Sequence, residues 1–163
     1  MDAKERAEVA QKAFDLASKY DAEFGYCPQC VLAALKEVAD LGITDDVIKG
    51  SFTLSGGGGL KGIGSCGALA GGLIAIGCKY GRTRDQFGKK VSNRAMLLSK
   101  QLIEKFTAEY GGISCNDVQT KFACRTFNMW DQADMDAFRQ TSCKKEECPK
   151  VAGNVAKWVM EII

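Results

Sequence analysis

The sequence predicts an all-α fold: a single-domain bundle of five to seven helices spanning residues 1–163, with a glycine-rich loop before its central helix. Three observations carry this prediction. Apolar residues recur at three- and four-residue spacing in window after window. No window shows the strict alternation of a half-buried strand, and no internal repeat is present. The chain of 163 residues is also long enough to bury a core without disulfide staples.

Residues 3–20 form the first amphipathic stretch, with Val9, Ala10, Ala13, Phe14, Leu16, Ala17 and Tyr20 on one stripe. A loop from Asp21 to Tyr26 leads to Cys27, and Pro28 stands at a first helical position. The second helix runs to about Leu41, with Gly42 as its stop, and Thr44 caps a short third helix through Val47 and Ile48. The run Gly56–Gly59, followed by Gly62 and Gly64, cannot be regular helix, because each glycine costs about 1 kcal/mol there. A central helix of small residues follows from Gly67 to Tyr80. Residues 83–110 read as the longest helix, through Phe87, Val91, Ala95, Leu98, Leu102 and Phe106. Short helices and turns are expected over 116–142, and a last helix over 149–162.

Lys and Arg total 22 against 20 Asp and Glu, so charge is nearly balanced and no basic run stands out. Nothing in that balance suggests nucleic acid or an anionic membrane as partner. The charged N-terminus, Met1 to Arg6, has no apolar signal region, and the stretch Ala68–Ile76 is too short to span a bilayer. The expected setting is cytoplasmic, where cysteines stay reduced unless they serve metal or redox chemistry.

The chain has eight cysteines and no histidine. Cys27, Cys66, Cys115 and Cys148 each fall where a helix should begin. Unpaired N–H groups and the positive end of the helix dipole there favour a thiolate. Sulfur must therefore dominate any metal or redox chemistry, while haem attachment and nucleophile–histidine catalysis are excluded. Cys27-Pro28-Gln29-Cys30 is also a C-x-x-C pair, although no strand precedes it as in thioredoxin-like folds. Cys66 and Cys78, if carried by one helix, lie about 18 Å apart and cannot share a centre. Cys124 and Cys143 could pair, join a second centre with Cys30, or stand by. The glycine run lacks the strand and Gly-Lys-Ser/Thr context of a phosphate loop. Gly57, Gly58, Gly59 and Gly64 are instead expected to wrap over a cluster or substrate beside Cys66, with N–H groups turned to sulfur.

These residues resemble the C-GCAxxG-C-C family of redox-active proteins, small proteins of anaerobes with four hallmark cysteines. The resemblance covers about residues 20–160. Cys27 with Gln29, Val31 and Leu32 matches the first cysteine, and Cys66-Gly67-Ala68-Leu69-Ala70-Gly71 the central motif. Tyr80-Gly81-Arg82 matches the turn that follows. Cys115, after Tyr110-Gly111-Gly112-Ile113, matches the third cysteine, and Cys148 the fourth. It implies a redox role and iron–sulfur binding. Cys30, Cys78, Cys124 and Cys143 depart from the four-cysteine pattern and leave room for a second metal set.

Three functions follow in order. The first is an iron–sulfur electron-transfer protein with Cys27, Cys66, Cys115 and Cys148 as ligands to a cluster of unspecified type. The second is a thiol–disulfide or sulfur-handling oxidoreductase that cycles Cys27 with Cys30, or Cys66 with Cys115, using Glu23 or Asp117 for proton transfer. The third is a structural Cys₄ zinc site, which the wide spacing of the cysteines disfavours. The redox partner is an unidentified protein, and the small-residue face of 67–80 suits a homodimer as well as a core.

Overall fold

The computed structural model describes residues 2–163, so Met1 of the charged N-terminus lies outside the described residues. Among these it contains eight α-helices: α1 (Ala3–Phe24), α2 (Cys27–Val38), α3 (Asp45–Ser51), α4 (Gly67–Tyr80), α5 (Arg94–Tyr110), α6 (Cys115–Ala123), α7 (Gln132–Gln140) and α8 (Cys148–Ile162). That is one more than the upper end of the five to seven expected; the short helices expected over 116–142 are two, α6 and α7, each with a side-chain cap. No helix is long and apolar enough to cross a membrane among the described residues.

α1 packs along α8, and α4 sits between α2, α5 and α8. Glycine makes both contacts close. A Cβ on Gly71 would stand 2.8 Å from the Pro28 carbonyl oxygen, and one on Gly72 would stand 2.6 Å from Val155. Gly153 likewise lets α8 approach Phe14 and Ser18 of α1. The small-residue face of α4 is thus spent on the bundle's own core. Around it Leu32, Leu35, Leu69, Ile76, Leu102, Phe106, Val155 and Val159 are fully buried. A separate cluster of Phe127, Met129, Phe138 and Cys143 lies beside this core, with Leu60, Met135, Cys115 and Cys148 packed on it.

Three boundaries differ from the sequence reading. α2 ends at Val38, where Ala39 turns extended, instead of at about Leu41. The helix expected over 83–110 begins only at Arg94, so α1, at 22 residues, is the longest. Phe87 and Val91 keep the helical spacing, yet they are 52% and 38% exposed and have no core to meet. Gly88, at φ 76°, breaks the backbone between them. Spacing without a packing partner does not hold a helix. α1 also runs past Tyr20 to Phe24, which places Asp21 on the helix rather than in a loop.

The contact at Gly71 is against backbone that cannot swing aside, so Gly71→Ala should destabilise the fold by about 1–3 kcal/mol. Gly77, on the same helix but with nothing within 4 Å of a built Cβ, should gain about 0.5–1 kcal/mol on substitution by alanine. Thermal melts followed by circular dichroism should move in opposite directions for the two variants.

Candidate redox centre

α2 begins with Cys27 after two consecutive left-handed residues, Gly25 (φ 68°) and Tyr26 (φ 58°). This tight reversal brings the chain from the end of α1 straight into α2. Cys66 is the N-cap of α4, and Cys115 opens α6. An isolated antiparallel bridge between Ser65 and Ser114 sets these last two side by side. The Cys66 N–H donates to the Ile113 carbonyl (2.7 Å), the Cys115 N–H to Gly64 (3.1 Å), and the Asn116 N–H to Gly62 (2.9 Å). Ser114 and Asp117 form a capping box over α6, and the Ser114 hydroxyl and N–H hold the Asp117 carboxyl below its usual range.

Cys148 arrives differently. Residues Cys143–Glu147 form a π-helical turn that runs directly into α8, and the Cys148 N–H donates to the Cys143 carbonyl. The wider turn accommodates Pro149, which has no N–H to give and would crowd the carbonyl four residues back in a regular helix. Cys148 is therefore inside a continuous helical path, not at a free N-terminus.

The four cysteines converge. Cys27, Cys66, Cys115 and Cys148 line one void of about 20 Å³, together with Gly56, Gly67 and Gln119. A second cavity, about 210 Å³, adjoins it and shares Cys27, Gly56, Cys115 and Cys148. Its other walls include Tyr26, Leu60, Met129, Met135, Phe138 and Lys144. Tyr26 and Leu60 (φ 59°) are two of the three non-glycine residues held in the left-handed region among the described residues. Strain of this kind persists only where the surroundings enforce it.

The remaining cysteines scatter. Cys30 is buried behind the site, its thiol donating to the Gly25 carbonyl (2.9 Å). Cys78 is half-buried near the far end of α4, and Cys124 is exposed just after α6. Cys143 alone joins the centre: it is fully buried and neighbours Cys148. The Cys148 thiol beside it pulls Cys143 below the usual thiol range, while Cys143 and burial push Cys148 well up. A set of four extras therefore does not assemble as a second centre.

Most of the glycine run does not face sulfur. The N–H groups of Gly58, Gly59 and Gly64 are taken by the carbonyls of Leu54, Thr53 and Gly57, and Gly57 packs on Gly62. The loop folds on itself, and only Gly56 reaches the void.

Burial decides the protonation state of the thiols. It pushes Cys66 up to about 12, with Cys115 beside it adding to the shift and the N–H groups of Ala68 and Leu69 opposing it. Cys27 is raised well above its ordinary value by burial, then by Asp21 and Cys66. Burial also raises Cys115, against a hydrogen bond from the Gln119 amide (3.3 Å). The expectation that helix starts would favour thiolates is thus corrected. The first N–H groups of α6 are spent on Gly64, Gly62 and Ser114, α8 has no free start, and at Cys66 desolvation outweighs the helix contribution.

Two charged residues missed by the sequence reading complete the site. Asp21 is 1% exposed, with both carboxylate oxygens lacking a hydrogen-bond partner, and lies 3.5 Å from the Lys144 ammonium. Burial works against that ammonium, but Asp21, Cys27 and Cys148 more than offset it and raise Lys144. Asp21 continues the buried series Ala10, Ala13, Ala17 by one further turn, so its burial was readable. Gln119 was readable too, four residues after Cys115. It is 1% exposed, bonding Cys115 with its amide and the Phe127 N–H with its oxygen (2.8 Å). Lys144 sits in the π-turn, which no periodicity announces.

Among the described residues, no three Cys, Asp or Glu side chains close on a single point tightly enough to hold one metal ion. A family model described as "Putative redox-active protein (C_GCAxxG_C_C)" matches residues 25–162. No curated protein and no solved structure matches the chain.

The raised thiols also fix an alkaline limit for the reduced, metal-free protein. Unfolded cysteines lose their protons near 9.0, whereas Cys30 and Cys66 in the fold keep theirs to about 12. Stability from these groups is fully present below pH 9 and is lost as pH rises towards 12. Melting temperatures measured from pH 7.5 to 10.5 should fall, and more shallowly in Cys66→Ala.

Proposed function

Because the chain belongs to the C_GCAxxG_C_C family of redox-active proteins, we propose that it is an electron carrier whose Cys27, Cys66, Cys115 and Cys148 hold an iron–sulfur cluster. One observation carries this reading: four thiols, Cys66 buried and the other three half-buried, border a single void, and desolvation there outweighs the pull of Lys144 towards the thiolate. A bound cationic centre does what the fold alone does not, since coordination strips the thiol proton outright. The donor set fits, because four thiolates satisfy a [2Fe–2S] or [4Fe–4S] cluster. The lack of a tight three-residue grip on one point weighs against a mononuclear zinc site. It weighs less against a cluster, whose ligands spread over several irons.

When bound, such a cluster supplies one-electron transfer. The protein's own residues provide the surroundings. Phe138, Met129, Met135 and Leu60 limit water at the mouth, and Gln119 orients Cys115. The Lys144 ammonium, anchored by Asp21, offsets negative charge on sulfur. A redox partner would dock at this mouth, in the reducing, cytoplasmic setting where free thiols persist.

A second reading, thiol–disulfide exchange, draws on a different pair from those the spacing suggested. Cys143 and Cys148 meet across the π-turn, and Cys143 is the one thiol of the centre pulled downward, by Cys148 beside it. A lowered thiol is what an exchange nucleophile needs.

Anaerobic purification with iron and sulfide reconstitution decides between them. The expected outcome is a coloured protein with bound iron and sulfide and an EPR signal in one oxidation state. Colour should be lost in Cys27→Ser, Cys66→Ser, Cys115→Ser and Cys148→Ser, and kept in Cys30→Ser, Cys78→Ser and Cys124→Ser. A colourless wild-type protein after reconstitution would sink the cluster reading. A Cys143–Cys148 disulfide in the peptide map of that colourless protein would establish the second.

A further inference from the structure

The near-neutral balance of the whole chain hides one strongly charged segment. Residues 82–94 hold Arg82, Arg84, Lys89, Lys90 and Arg94 against the single carboxylate of Asp85, a net +4, whereas the entire chain is +2. None of these five cations forms an ion pair among the described residues. Interleaved with them, Phe87, Val91, Met96 and Leu97 are 52%, 38%, 73% and 59% exposed. Surface apolar residues are usually scattered; four within eleven positions, ringed by cations, form a patch.

The segment has little to hold it down. Its hydrogen bonds are local: a capping box between Thr83 and Gln86, the Phe87 N–H to Arg84, and the Lys89 N–H to Gln86. The Arg82 and Arg84 guanidinium groups lie 4.7 and 4.9 Å from the Phe87 ring, so the aromatic and two cations are presented together. At the start of α5, Leu98 turns into the core while Met96 and Leu97 point outward. The patch sits where α4 ends and α5 begins. Cys66 is at the other end of α4, a helix of 14 residues and about 21 Å.

We propose that residues 82–97 are a peripheral docking surface for an anionic lipid bilayer. Cations on a projecting segment bind headgroup phosphates, and aliphatic side chains between them enter the headgroup–acyl boundary. Charge complementarity selects an anionic surface over a neutral one. The aliphatic character of Val91, Met96 and Leu97 selects lipid over nucleic acid, because only Phe87 offers a face on which a base could stack. Docked this way, the protein carries its cysteine centre on the side facing away from the membrane. The inference is independent of what the cysteines bind.

The test is co-sedimentation of the full chain with phosphatidylcholine vesicles, with and without phosphatidylglycerol, over a range of salt. Binding should require phosphatidylglycerol and weaken with ionic strength. The charge reversal Lys89→Glu/Lys90→Glu should reduce binding by more than about tenfold, since each basic residue near such a surface contributes roughly fivefold. Met96→Ser/Leu97→Ser should leave the salt dependence unchanged but lower binding at every salt concentration. All four side chains are exposed, so circular dichroism should report unchanged folding. No binding to anionic vesicles, or equal binding to neutral ones, overturns the proposal. So does binding to polyglutamate or single-stranded DNA by a protein that ignores vesicles, which would assign the patch to an acidic macromolecule.

Discussion

Two helix starts touch backbone to backbone in this protein, and the rest of the structure is arranged around that contact. A Cβ at Gly67 would stand 2.7 Å from the Pro28 ring and 3.5 Å from the Cys27 Cβ, and Gly71 lies one turn further along the same face, on the Pro28 carbonyl and Val31. The spacing of the glycines in Cys-Gly-Ala-Leu-Ala-Gly is therefore a packing requirement. They let α4 lie on the first turn of α2, which brings Cys66 to Cys27. The third sulfur follows from the bridge at Ser65 and Ser114, and the fourth from the π-turn that feeds α8. Each cysteine is placed by a different local device, yet all are referred to the same close approach.

Much of this was legible in the residues. The boundaries of α4 come directly from its small-residue run between the glycine loop and Gly81. The four cysteines that converge are the four that stand at the starts of expected elements. What escaped the sequence depends on contacts between distant segments. Nothing in the sequence chooses a role for Cys143 until a π-turn, invisible to a 3.6-residue pattern, brings it against Cys148. The stretch 83–93 carries a helical pattern that fails because no surface receives Phe87 or Val91. The basic patch went unseen because the acids elsewhere in the chain cancel it in the total.

The sign of the thiol shifts is the physical lesson of the site. Helix-terminal N–H groups and burial act in opposite directions on a cysteine: at α6 those N–H groups already have acceptors, and at Cys66 burial outweighs the N–H groups of Ala68 and Leu69. A catalytic thiol at neutral pH needs the opposite outcome. In the fold alone desolvation favours the protonated form of these four sulfurs, with one anchored cation nearby.

The molecule has two apolar clusters, not one, and the cysteines lie on the seam between them. Cys66 and Cys27 belong with the large core, while Cys115 and Cys148 pack against the small cluster of Phe127, Met129, Phe138 and Cys143. A unit of four buried side chains has far less apolar burial to hold it than a bundle of twenty-five, so the small cluster is the cheaper side of the seam to open. A reagent that reaches the sulfurs of a folded chain would therefore meet least resistance from the segment between Phe127 and Cys143.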